Sequence, residues 1–308
     1  MAGFPCELAL GSAQAIIRGV ATSHRLEAET LSLSRCHGRV LAQDVEAGEG
    51  GAPALRRGEM LTPLRIALAA SFGIPALVVS RRPTVAVYTC GDRLVEPGMP
   101  LAAGGAYDSH RELLMGLLRA EGLEPTAWPR LPDDPKRIEI ALRDAACAFD
   151  LIVICGADPV AGMDHVSDVL GQFGQIHFRQ PQVLPDAKAV FGSLDQARLL
   201  GLSGDPASVL ANWLVLGRPL IDSLQGRVAP RPMLKAQLTA PIDRQHPQHD
   251  LLGAMMSSAD DGSLHARPQS LTGSDALHAA VDCNALIALP EGRQHFAVGS
   301  IVEVLPFQ

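Results

Sequence analysis

The chain has 308 residues, a net charge of −7 and 26 Lys plus Arg. That balance argues against a protein that grips a nucleic-acid backbone through general basic charge, while leaving cations enough for one pocket that holds a phosphorylated small molecule. Hydrophobic residues make up 47% and aromatics only 4%, with 29 Gly and 23 Pro, so the core is built of Ala, Leu, Val and Ile in an α/β protein of two or three domains.

In chain order, Ser12 to Thr22 reads as a short amphipathic helix, and Gly38 to Val45 as a β-rich run. Residues 46–58 carry no hydrophobic period and read as a linker or loop. Thr62 as N-cap and Pro63 at the first helical position open a helix through Ala70 that Gly73 closes. The longest apolar stretch, Ala67 to Val79, is too short to span a bilayer. Next come a buried strand Thr84–Thr89, a helix Ser109–Ala120 ended by Gly122, a short strand Pro125–Trp128 and a helix from Asp134-Pro135 to about Phe149. They are followed by a buried strand Asp150–Gly156, a helix Asp164–Leu170, a strand Ala197–Leu202 and a long helix from Pro206 to about Leu224.

This alternation predicts right-handed crossovers and an α/β fold with a mainly parallel sheet flanked by helices. After residue 230, short β-like stretches at Leu234–Thr239, Ala285–Leu289 and Ser300–Leu305 predict a small C-terminal β domain. The expected division is 1–82, 83–227 and 228–308. The N-terminus lacks the basic region of a signal peptide. Cys6, Cys36, Cys90, Cys147, Cys155 and Cys283 form no Cys-x-x-Cys pair, so reduced thiols in a cytoplasmic protein are expected.

Three loops follow strands of the α/β domain: Cys90-Gly91-Asp92, then Cys155 to Asp158 leading to Asp164, then Gly201 to Ser208. After parallel strands all three should emerge on one rim, where such sheets bind ligands. The third loop has two readings. Its glycines and the following helix N-terminus suit an anion; equally, Gly204 makes a plain turn, Asp205 caps the helix and Pro206 starts it. Asp92 and Asp164 are carboxylates suited either to Mg²⁺ or to capping and solvation. His246 and His249 would form a metal pair only on a helix, which Pro247 opposes. His278 reads as a packed or solvent-facing residue. No Gly-x-Ser-x-Gly elbow supports a Ser-His-Asp triad.

Six ordered blocks resemble the molybdopterin molybdenumtransferase family, which includes the gephyrin E-domain. They are Gly38–Val45, Arg81–Gly98 around Cys90-Gly91-Asp92-Arg93-Leu94, Tyr107-Asp108-Ser109-His110, Cys155–Asp164, Gly201–Ser208, and Gly273 through Cys283–Gly292. The resemblance implies a molybdopterin-binding α/β domain, molybdate insertion into adenylylated molybdopterin with AMP release, Mg²⁺, and a homodimer. The charge balance and the short apolar stretch, taken with it, predict no nucleic-acid or membrane partner. It implies Asp92 and Asp164 as catalytic and metal-binding residues. For the pterin ligand it implies Cys90, Gly91, Asp108, Ser109, Gly156, Lys188, Gly201, Gly204, Asp205, Pro206 and Ser208.

The chain also departs from that pattern. Only residues 46–57 bridge the place where the family carries an inserted domain. Arg93 replaces a Glu, Cys90 a Thr and Asp205 an Asn. Two family lysines fall on Leu184 and Ala187, in the run Leu184-Pro185-Asp186-Ala187, with Lys188 next along. A carboxylate at Asp205 repels a phosphate. These losses leave three alternatives: a minimal transferase, a non-catalytic pseudoenzyme that carries molybdopterin or the finished cofactor, or a protein-interaction scaffold.

Overall fold

The computed structural model describes residues 8–46, 53–156, 161–179, 181–182, 189–244, 249–271 and 276–307, with backbone alone at 161–164, 182 and 203. Helix α1 (Leu10–Thr22) buries Leu10, Ala13, Ile17 and Ala21, a spacing that aligns them on one helix face. Strand β1 (Ala28–Ser32), helix α2 (Pro63–Ser71) and strand β2 (Ala76–Ser80) follow. β1 pairs antiparallel with β2, and Leu31, Leu41, Leu61, Leu77 and Val79 form a small core beneath them. Thr62 caps α2, accepting from the Arg65 amide.

Two expectations for this region are corrected. Residues 46–58 are not simply a linker, because Val45–Glu46 runs antiparallel to Pro53–Leu55. Gly38 to Val45 is not a continuous strand; it makes single bridges from Val40 to Met60 and from Leu41 to Val79. The bridges to Met60 and Val79 join segments 20 and 38 residues apart, which local periodicity does not encode.

The central sheet is built from β3 (Val85–Cys90), α3 (Ser109–Ala120), β4 (Thr126–Ala127), α4 (Pro135–Ala148), β5 (Leu151–Gly156), α5 (Ala161–Phe173), β6 (Gln175–Arg179), β7 (Ala189–Leu194) and β8 (Ala197–Ser203). Its strand order is β6-β7-β8-β5-β3-β4. β3, β5 and β8 are parallel, and β4 is parallel to β3. β7 runs antiparallel to both its neighbours. Every residue of β3 and β5 is buried, as expected where helices cover both faces.

α3 packs on one face, and α4 and α5 pack on the other. The connections leaving β3 and β5 therefore part to opposite sides, which opens a crevice at the carboxyl ends of those strands. After β8 come α6 (Pro206–Asn212), a π-helical turn at Trp213–Gly217 and α7 (Arg218–Leu224). The expected single long helix thus carries a π turn. Gly217 makes room for the Trp213 ring, since a Cβ there would stand 2.7 Å from the ring atom Cδ2.

The C-terminal unit is a closed barrel of β9 (Leu234–Leu238), β10 (Asp250–Ser258), β11 (Leu264–Gln269), β12 (Ala285–Leu289) and β13 (Ile301–Pro306), in the order β9-β11-β10-β12-β13. Ala236, Leu238, Ala254, Ile287 and Val304 help fill it. A short helix, α8 (Ala276–Val281), precedes β12. Among the described residues no helix is long and apolar enough to cross a membrane.

Candidate functional site

Strand register aligns the carboxyl rim. Cys90 lies opposite Gly156, and Gly156 lies opposite Ser203. The loops that follow these residues therefore leave the sheet side by side.

Gly91 turns the first loop with φ at 127°, a conformation glycine adopts without steric cost. Arg130 fastens this loop, its Nη1 donating to the carbonyl oxygens of Gly91 at 2.8 Å and Leu94 at 2.6 Å. Cys90 is buried, whereas Asp92 and Arg93 are exposed. Asp92 accepts from the Asp133 amide at 3.3 Å. Asp133 in turn lies 3.3 Å from His165, the neighbour of Asp164, so both predicted carboxylate positions border one corner of the rim. The Cys155 thiol is pushed well up, first by burial and then by Cys90 and Asp108 nearby, so it stays protonated and is a poor nucleophile.

The start of α3 forms the wall beside β3. Asp108, only 3% exposed, caps the helix by accepting from the Arg111 amide at 3.1 Å. Its other oxygen accepts from Thr89 Oγ1 at 2.6 Å, which pins the helix start to the last turn of the strand. Ser109 is the first helical residue and is half-buried. His110 is 4% exposed and lies 3.0 Å through Nε2 from the Gly204 carbonyl oxygen. A carbonyl only accepts, so Nε2 carries the proton; Nδ1 is buried with no partner. Arg111 reaches Glu96 through Nη1 at 3.0 Å, and its Nη2 is buried without a partner.

In the third loop Gly201 lies within β8. Gly204 takes φ 109°, and Asp205 then caps α6. One Asp205 oxygen accepts from the amides of Ala207 at 2.9 Å and Ser208 at 3.1 Å, and the other accepts from Ser208 Oγ at 2.8 Å. Pro206 occupies the first helical turn, where its missing N–H costs nothing. Of the two readings of this loop, the capped turn is the one adopted. The amides that would hold a phosphate are already bonded to Asp205.

Lys188, the Leu184–Ala187 run, Asp158, Cys6, His246 and the Gly273–Asp275 start of the last block lie outside the described residues, as does the side chain of Asp164. Among the described residues no cluster of three or more His, Cys, Asp or Glu is placed to hold a metal. Mg²⁺ commonly uses one or two carboxylates and completes its shell with substrate phosphates and water, and exposed Asp92 fits that mode. His249 is apart from this rim; burial lowers its pKa, Glu291 opposing and Arg244 adding to the shift. His278 is exposed on α8, and the five described cysteines are free thiols.

Sequence reasoning missed His110, Arg111 and Arg130 as site residues. His110 stands within the Tyr107–His110 block and Arg111 follows it. Arg130 lies in a connection with no signal of its own.

The chain matches two family descriptions, "Probable molybdopterin binding domain" over residues 86–223 and "MoeA C-terminal region (domain IV)" over residues 235–307. It is 31% identical over 271 residues to a molybdopterin molybdenumtransferase of Haemophilus influenzae, covering 87% of this chain and 66% of that protein. It is 25% identical over 299 residues to molybdopterin molybdenumtransferase 2 of Mycobacterium tuberculosis, covering 95% of this chain and 73% of that protein. The chain thus spans just under two thirds of the Haemophilus protein and 62% of one from Staphylococcus epidermidis. Among solved structures, a molybdopterin biosynthesis MoeA protein of Pyrococcus horikoshii has the same fold, with a TM-score of 0.76, 18% identity and coverage of 96% of this chain and 99% of that one. A molybdenum cofactor biosynthesis protein of Pyrococcus furiosus superposes with a TM-score of 0.71, 21% identity and coverage of 96% and 98%. With both parts matched in order along one chain, this protein belongs to the MoeA-type molybdopterin molybdenumtransferase family.

Proposed function

We propose that this chain works in molybdenum-cofactor biosynthesis and binds molybdopterin at the carboxyl rim of its central sheet. One observation supports this most directly: the register that sets Cys90, Gly156 and Ser203 side by side within the part of the chain matching a molybdopterin-binding domain. The substrate in this reading is adenylylated molybdopterin. Molybdate enters at the dithiolene and AMP leaves. Asp92 and Asp164 would hold Mg²⁺, which would offset charge on the phosphates.

The chain's own residues then have distinct tasks. Gly156 keeps the crevice floor free of a side chain. Asp108 and His110 fix α3 to β3 and to the Gly204 turn. Arg111 supplies positive charge beside the rim. Asp205 holds the α6 amides, so a ligand phosphate must find other donors, Lys188 among them.

We further propose that the Val45–Leu55 strand pair stands where the family carries its inserted domain, and that the protein acts as a homodimer. Leu64, Leu68 and Phe72 are exposed along α2 at a spacing that puts them on one face, an apolar stripe that a second copy would cover. A carrier role without insertion is the second reading, favoured by the bonding of Asp205 to the α6 amides.

The test mixes the full chain with adenylylated molybdopterin, Mg²⁺ and molybdate and follows AMP. Release that depends on molybdate supports insertion. No release, with pterin fluorescence still bound to the protein, leaves the carrier reading. Neither release nor bound pterin overturns both.

A further inference from the structure

A second cleft lies at the other end of α3, with a volume of about 700 Å³. α3 runs for 12 residues from Ser109, so the cleft is about 18 Å along the helix axis from the rim. Arg82, Arg119, Arg218, Arg227, Arg231 and His37 line it, and Glu121 is the one carboxylate among its lining residues. In a chain of net charge −7, this is a strong local reversal of sign.

Three of the arginines are held by the fold. Glu121 accepts from Arg218 Nε at 2.7 Å and from Arg231 Nη2 at 2.5 Å. Asp222 accepts from Arg231 Nε at 2.8 Å and pairs with Arg227 at 3.4 Å. Arg218 also donates to the carbonyl oxygens of Pro306 and Phe307.

Arg82 and Arg119 differ: among the described residues neither side chain has an acceptor or an ion pair. Arg82 is nonetheless seated. Its Nη2 lies against Gly122, where it would be 2.8 Å from a Cβ, and that glycine ends the α3 turn with φ 75°. Burial, reinforced by Arg39 and only partly opposed by Glu124 and Glu29, pulls the Arg82 pKa down. A half-buried cation with no carboxylate in hydrogen-bonding contact is costly, and an anion in the cleft would relieve it.

We propose that this cleft binds a small phosphate-bearing anion, with Arg82 and Arg119 as its ligands and the three carboxylate-paired arginines as a rigid frame. Guanidinium forks meet phosphate oxygens two at a time. The overall negative charge of the chain disfavours a nucleic-acid backbone. The site is independent of the pterin reading, because it shares no residue with the rim.

The test is calorimetric titration of the full chain with pyrophosphate at fixed ionic strength, with succinate as the dicarboxylate control. The expected result is saturable pyrophosphate binding that weakens as salt rises and little heat with succinate. Arg119→Glu, at an exposed position, should weaken binding roughly tenfold or more, since charge-assisted bonds are lost. Arg82→Ala should do the same with its circular dichroism unchanged. If Arg82→Ala fails to fold, Arg119→Glu decides alone. No saturable binding, equal binding of succinate, or wild-type affinity in Arg119→Glu would overturn the proposal.

Discussion

Gly156 and Cys90 stand so close across β5 and β3 that no side chain fits between them: a Cβ on Gly156 would lie 2.6 Å from the Cys90 carbonyl oxygen. The obstacle is backbone and cannot rotate away, so one strand would have to shift. That strand end carries the Gly91 turn and the two bonds from Arg130. Gly156→Ala should therefore destabilise the protein by about 1–3 kcal/mol and weaken pterin binding more than a remote substitution of equal cost. Thermal melts and fluorescence titration measure the two effects. A variant that melts and binds like the parent would show that the close approach has no role.

Asp205 combines two properties that substitutions separate. Asn caps a helix about as well as Asp, whereas Ala does not. Asp205→Asn should leave stability within about 0.5 kcal/mol and tighten binding of an anionic pterin, because a negative charge leaves the rim. Asp205→Ala should cost about 1 kcal/mol. If the Asn variant binds more weakly than the parent, the Asp205 charge is part of ligand recognition and not an obstacle to it.

At the amino end of the sheet, Asp150 receives both Nη atoms of Arg81 at 2.8 Å and the Thr84 amide at 2.7 Å. Burial alone would raise its carboxyl pKa, but the bonds from Arg81 and Thr84 outweigh that and hold it below its ordinary value of 3.8. The stabilisation is present in full above the unfolded value and is lost as pH falls through the lower folded value. Acid unfolding should therefore begin at higher pH in Asp150→Asn, which at neutral pH should be about 2–3 kcal/mol less stable. Denaturant melts at pH 3 to 7 (about the carboxylate range) should show a weaker acid slope in the variant. Parallel profiles would exclude Asp150 from the acid transition.

Glu121 ties α3 to α7 and, through Arg218 and Arg231, to the barrel side. It is buried together with Arg218. Glu121→Gln leaves Arg218 without a counter-charge, while Arg231 keeps Asp222, and should cost about 3–5 kcal/mol. The loss should be local, with the segment from Arg227 to Met233 becoming the first point of cleavage in limited proteolysis. Cleavage elsewhere at an unchanged rate would place the connection between the two units in other contacts.

Much of the element order is legible in the sequence because its signals are local. Thr62, Asp134 and Asp205 each precede a proline and each accepts from a backbone amide of the helix that follows. The apolar runs at β3 and β5 are long enough to predict strands buried on both faces. β7 is different: its only antiparallel course in the sheet depends on a two-residue reversal at Asp195, which takes φ 48°, and no glycine marks that turn. The barrel's closing pair, β9 with β13, joins segments far apart in the chain.

The candidate site divides along the same line. Sequence alone determined which loops follow strands, which glycines could turn them and which helices begin beside them, since these depend on a few neighbouring residues. Tertiary structure decided that Cys90, Gly156 and Ser203 share one rim, that His110 reaches Gly204 across 94 residues, and that Arg130 braces the Gly91 turn. It also set Arg82 against Gly122 in a cleft opposite the rim. Those relationships are fixed by strand register and helix packing, and both come from burying surfaces that the chain brings together only when it folds.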